Sequence, residues 1–387
     1  MNKIIVNFFL INPILGLFSI FLTKNKLKTF ILVFSLLIAY YGFCTPPVYE
    51  MDLYQHYEYF NKVIIGEFDP FGTKYFGMYI LCYTIKFFNL PKELLPFISI
   101  FLNYYILFNI SLDEMNKNKN LKNRDKIFII LFIIFNIVPF SHVYSGIRFP
   151  IAMIIAVYSI YKMQTQEIKI IKFLFLVLLS ISFHKFIIFI YIIYIISYIF
   201  KINYKTEKKL RIFIFPLFLF IFSNEAIFFK FFTFIPKEIL IKYNMIDYIL
   251  GENNQKFGFG GAKYFFNKLN IIGKIGDIIE NIFIRYFYII YVMLNKKIDN
   301  LILVLMYVIL IFYKFQAFSI RYIYILSYFL IIYIIRYYKK IRTIYFEVFT
   351  LIIVLFNIVM LKDKIYFFSG IEKFVFSIPL LELLGIN

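Results

Sequence analysis

Tryptophan is absent from the 387 residues, cysteine occurs twice and histidine three times. Cys44 and Cys82 form no recognisable disulfide framework, and no Cys/His spacing matches a zinc site, so neither crosslinks nor a structural metal is expected. Acids are scarce, with 22 Asp and Glu against 42 Lys and Arg, which leaves a formal charge of +20. That imbalance would suit nucleic acid. Most of the cations, however, lie in short loops between apolar runs, where the positive-inside rule accounts for them, and no nucleic-acid partner is expected. A phosphate loop is missing too. Gly258, Gly260 and Gly261 are followed by no Lys-Ser/Thr and preceded by no strand pattern.

What is abundant is apolar. The chain is 62% hydrophobic with a mean hydropathy of +0.80, where soluble proteins are nearer half apolar. Apolar runs of spanning length recur at 4–23, 29–45, 75–89, 94–112, 127–140, 149–161, 170–184, 186–200, 212–223, 278–294, 301–315, 320–338 and 344–361, with a broken apolar piece at 374–384. The first run has no small-residue cleavage site and leads into a second, which argues against a cleaved signal. The fold expected is an all-α polytopic integral membrane protein of about 12–14 transmembrane helices. It is read as a single transmembrane domain over 1–387, with outward loops at about 45–74 and 224–277.

Loop charge sets orientation. Lys24-Asn25-Lys26-Leu27-Lys28, the basic stretch Asn116–Arg124, Lys201–Arg211 and Lys339–Arg342 read as cytoplasmic. The segment 45–74 is net acidic and reads as external, with a short interfacial helix near 53–65. Counting every run as a crossing gives 113–125 two different sides, depending on the end from which one counts. One run between 53 and 112 is therefore expected not to cross. The candidate is a re-entrant or interfacial piece within 53–93, interrupted by Lys86, Pro91, Lys92 and Pro96.

Rare polar groups collect on one side of this topology. His56, His142, His184, Asp52, Arg148 and Arg321 all fall near the outer face. Arg148 and Arg321 stand where the positive-inside rule asks for no arginine, and a guanidinium fork there suits a phosphate. The competing reading is that Arg148 snorkels to headgroups or pairs with an acid. Arg285, inside an expected span, is either a pocket residue or a partner of Glu280 or Asp277. His184, at the end of an apolar run beside Lys185, is a candidate acid, base or donor, or a structural histidine. Asp52 is a candidate general base, or a solvated loop acid.

Several blocks in order resemble a known family. They are the Asp52-to-Tyr57 stretch after two N-terminal runs, Arg148-Phe149-Pro150-Ile151-Ala152 opening a later one, Phe183-His184 ending another, and Ser319-Ile320-Arg321-Tyr322 opening a late one. Together they resemble the EpsG-like branch of Wzy-type polysaccharide polymerases, which polymerise O-antigen and exopolysaccharide repeat units. Two departures stand out: Phe149-Pro150 replaces a glutamine common after the first arginine, and Cys44-Thr45-Pro46-Pro47 stands where an arginine is common. The resemblance implies a GT-C-like, metal-independent glycosyltransferase without cofactor, in the bacterial inner membrane and facing the periplasm. It would move a growing undecaprenyl-pyrophosphate-linked glycan onto a new lipid-linked repeat unit. Asp52 and His184 would be catalytic, and Arg148, Arg321, Arg285, Tyr57 and His142 would bind pyrophosphate or glycan. The implied partners are the undecaprenyl-pyrophosphate-linked oligosaccharide, membrane lipid and, as a candidate, a chain-length regulator protein. An O-antigen ligase and a lipid-linked oligosaccharide flippase are the alternatives. The ligase shares the donor, whereas a flippase should show internal repeats, and none is evident.

Overall fold

The computed structural model describes residues 26–45, 52–67, 75–119, 121–137, 140–199, 206–210, 212–213, 299–312 and 316–337. Every element among them is helical, with no strand. The expected loop at about 224–277 and Arg285 lie outside the described residues. The described helices belong to two compact units that divide between Tyr191 and Ile192.

In the first unit, α1 is Lys26–Cys44, α2 is Asp52–Lys62, α3 is Phe76–Phe87 and α4 is Leu94–Lys117. Then come α5 at Asn123–Phe132, a π turn at Ile133–Ile137, and the short α6 at Phe140–Gly146. Helix α7 is Arg148–Gln164 and α8 is Ile170–Phe183; after a 3₁₀ turn at Lys185–Ile187 comes α9, Ile188–Ile199, within which the division between the units falls. The second unit contains α10 at Asn300–Ile311 and α11 at Gln316–Tyr337. In α10 the Asp299 carboxylate accepts from the Leu301 amide at 3.0 Å, a regular N-cap.

Among the described residues, two helices are long and apolar enough to cross a membrane, Leu27–Cys44 and Leu94–Lys117. At 1.5 Å per residue they are about 27 and 36 Å long. They pack against each other, and a glycine permits the approach: a Cβ on Gly42 would sit 2.1 Å from the Ile100 side chain. Small residues serve this role where helices meet closely in apolar surroundings. Helix α8 carries an exposed apolar stripe of Ile171, Phe175 and Leu178, and α9 one of Ile188, Ile192, Ile195 and Ile199.

Helix α3, like α9 and α10, has 12 residues and reaches only about 18 Å, short of a hydrocarbon core of about 30 Å. Its two ends also lie against one neighbourhood. Tyr75, just before it, meets Arg148. At the far end the Lys86 ammonium donates to the carbonyls of Asn61, at 2.9 Å, and Val63, at 2.5 Å, just where α2 ends. Helix α2 in turn packs on α6, next to Arg148.

Helices α4 and α7 pack side by side and run parallel, because they are tied at both ends. Near one end the Ser99 hydroxyl of α4 donates to the Val143 carbonyl of α6 at 2.7 Å. At the other, Tyr161 of α7 donates to the Glu114 carboxylate of α4 at 2.9 Å. Lys117 reaches Glu114 at 3.4 Å and Glu167 at 3.3 Å, while Lys162 reaches Asp113 at 3.2 Å and also bonds Glu167. Glu114 is buried, so these donors are what make its charge tolerable. They also explain why α4 runs on through Lys117 rather than stopping near residue 112: its two acids find cations within the fold. Outside the helices, the hydrogen bond from Lys162 holds the Glu167 carboxyl down to about 2.

Candidate functional site

The site grows from a break in the chain. Helix α6 ends at Gly146 and α7 starts at Arg148. Between them Ile147 is buried at φ 25°, ψ −64°, a region costly for a β-branched residue, by about 1–3 kcal/mol. Packing around α6 holds the turn. Ser99 pins Val143, and the Tyr144 hydroxyl donates to the Thr45 carbonyl at 3.0 Å. Arg148 is thus fixed as the first residue of a 17-residue helix.

A cation at a helix N-terminus adds to the positive end of the helix dipole. No side chain caps α7 there, and among the described residues no carboxylate pairs with Arg148. Its Nε is buried with no hydrogen-bond partner among the described residues. What it does have is Tyr75, whose ring centre lies 3.9 Å from the guanidinium carbon. The spot is an electropositive one whose positive charge has no ionic partner among the described residues.

Histidines gather around it from three elements. His184 ends α8 in extended backbone and is buried. Its ring stacks near Tyr75, at 6.5 Å between centroids, and meets Phe149 edge-on at 5.2 Å. His142 of α6 meets the same Phe149 at 5.9 Å. Phe149, which stands where the resembled family often has glutamine, is therefore an apolar divider between two imidazoles. His56 of α2 is buried, hydrogen-bonds the backbone of Gly146 and feels the charge of Arg148. Burial first, and Arg148 second, push its midpoint down to about 3. Among the described residues no group of three or more His, Cys, Asp or Glu is arranged to hold a metal ion.

The other expected site residues fall as follows. Asp52 is exposed at the first turn of α2, one turn ahead of His56, and no described interaction links it to Arg148 or His184. Tyr57 is buried; the Lys92 ammonium lies 5.1 Å from its ring centre, and burial, Glu93 and Tyr144 push its hydroxyl pKa up. Arg321 is partly buried in the second turn of α11, in the second unit. The structure thus brings Arg148, His142 and His184 together, with Tyr57 on the adjoining face of α2.

Two residues at the centre were not among the implied site residues: His56, which the sequence placed only with the outer-face polar groups, and Tyr75. For His56 a signal existed. Leu53, His56, Tyr57 and Phe60 recur at helical spacing and all are buried, so His56 lies on the inward stripe of an amphipathic helix. For Tyr75 there was none, since one aromatic at the start of an apolar run carries no mark in a chain with 34 tyrosines.

No family model, no curated protein and no solved structure matches the chain.

Proposed function

We propose that the chain is a polytopic inner-membrane glycosyltransferase, a polysaccharide polymerase of the EpsG-like Wzy type. It transfers a growing undecaprenyl-pyrophosphate-linked glycan onto a new lipid-linked repeat unit at the periplasmic face. One observation carries the reading: a part-buried arginine without a carboxylate partner among the described residues, set at a helix N-terminus among three histidines. Such a place suits a pyrophosphate. Guanidinium and helix dipole both favour the anion, and the charge that develops as the pyrophosphate leaves is what they stabilise.

The ends of α4 and α7 support the side on which the chemistry occurs. Lys117 and Lys162 cluster at the ends opposite Arg148, together with the basic stretch that follows α4. The positive-inside rule puts that cluster in the cytoplasm and Arg148 outside. A non-crossing α3 gives the odd count of crossings that the loop charges require between 45 and 125. Exposed apolar stripes on α8 and α9 suit contact with lipid tails.

The test is genetic. A strain lacking the gene should carry single repeat units on its lipopolysaccharide core in place of the long ladder. An unchanged ladder sinks the proposal. Loss of all repeat units from the core with polymer kept on its carrier would assign a ligase. Loss of both would assign a flippase.

A further inference from the structure

We propose that His56 is the proton acceptor of this site and that pyrophosphate seated on Arg148 is what arms it. The inference rests on reading Arg148 as the pyrophosphate site. It is carried by two atoms with no hydrogen-bond partner among the described residues, Nε of Arg148 and Nε2 of His56, both buried. The His56 ring is 4% exposed. Its backbone hydrogen bond goes to Gly146. Because Nε2 has no partner, that bond falls to Nδ1, which fixes the neutral tautomer with the Nε2 lone pair free. Gly146 lies two residues before Arg148, so one turn of chain sets both groups.

The charged and titratable groups about this place are Arg148 on α7, His142 and Tyr144 on α6, His184 after α8, Tyr75 before α3, and Tyr57 with Lys92 and Glu93 beside it. Of these, Arg148 is the charge that acts on His56. In the empty site that charge and burial keep the imidazole neutral but a poor base, because a base works best with a midpoint near the working pH. A bound pyrophosphate cancels the arginine's charge and adds its own negative charge nearby. Both changes favour protonation of His56. The base then becomes strong only when the leaving group is already in place.

The step balances as follows. The acceptor hydroxyl gives its proton to Nε2 of His56, and its oxygen bonds to the anomeric carbon of the donor sugar. The bond from that carbon to the pyrophosphate oxygen breaks, and its electron pair leaves on the pyrophosphate, against Arg148. His56 then releases its proton to water. Asp52, exposed and one turn away, takes no part in the transfer.

The experiment uses the full chain in lipid nanodiscs with ring-¹⁵N histidine. Only three histidines are present, so single substitutions assign each signal. Without ligand, the His56 ring should stay neutral at pH 5. With saturating inorganic pyrophosphate its midpoint should rise by about 1–3 pH units, and Arg148→Gln should abolish the rise. A midpoint unmoved by pyrophosphate at any concentration, or moved equally in Arg148→Gln, overturns the inference. The ladder assay is independent of this readout. A rise in the His56 midpoint alongside an unchanged ladder in the deletion strain would sink the polymerase reading and, with it, the transfer step, and leave standing the arming of His56 by pyrophosphate at Arg148. In the polymerase reading, His56→Gln should slow transfer by about 10²–10⁴-fold while pyrophosphate binding persists.

Discussion

The guanidinium of Arg148 lies 3.9 Å over the ring of Tyr75, and the imidazole of His184 stacks near the same ring, at 6.5 Å between centroids. One tyrosine thus touches both polar residues that the sequence singles out most strongly, and it holds the arginine without neutralising it. A cation–π contact of this kind is worth about 0.5–2 kcal/mol. Tyr75→Phe should keep it and leave thermal stability and pyrophosphate affinity close to the parent. Tyr75→Ala should lower stability by about 1 kcal/mol and weaken pyrophosphate binding as the arginine loses its fixed geometry. Melting curves and titration calorimetry read both; an alanine variant that binds as well as the parent would show that the ring does not position Arg148.

Arg148→Ala and Arg321→Ala should each abolish long polymer while the protein still inserts into the membrane. Arg148→Lys should not restore it, because an ammonium lacks the planar fork that grips two phosphate oxygens. Gel ladders with membrane-fraction blots decide the matter. Full ladders in both alanine variants would overturn the pyrophosphate-binding role proposed for these arginines.

Stability should fall in mild acid because of His56. Its folded midpoint is lowered to about 3 from an ordinary 6.5. As pH drops through about 6.5 the unfolded chain takes up a proton that the folded one refuses until about 3, so the unfolded state gains. The contribution is complete above pH 6.5 and is lost through that window. His56→Gln should flatten the melting temperature between pH 6.5 and 4. An equally steep fall in the variant would put the acid sensitivity elsewhere.

Gly77 sets how closely α3 meets α8. A Cβ there would lie 2.6 Å from the Ser182 hydroxyl and 2.8 Å from the Phe183 ring. Gly77→Ala should therefore cost about 1–3 kcal/mol of overpacking. It should also disturb His184, the next residue after Phe183. Thermal melts of the variant check the first, and its histidine ¹⁵N spectrum the second.

Much of the helical layout was legible in the sequence. Helices α1, α7, α8 and α11 start and stop within a few residues of the apolar runs, since charge clusters mark their ends. The short α2 was legible as an amphipathic stretch. Arg148 was legible because a cation on the unexpected side needs a reason. The setting of 75–89 was legible only in part: the count of crossings, with Lys86, Pro91, Lys92 and Pro96 breaking the pattern, marked 53–93, whereas the hold of Lys86 on carbonyls some twenty residues earlier in the chain is a contact no local pattern encodes. Asp52 was read as a candidate base because it is a carboxylate just past an apolar run; the structure places it exposed at the first turn of α2, with His56 on the buried side one turn further on.

The parallel pair α4 and α7 has a mechanical meaning. It is bolted at the Glu114–Tyr161 end by a web of ion pairs and at the Ser99–Val143 end by a hydrogen bond into the turn that carries Arg148. A beam fastened at both ends neither tilts nor slides, so it serves as the doorpost of the site. Against that post lie the shorter pieces of the site, α2 with His56 and the start of α3 with Tyr75.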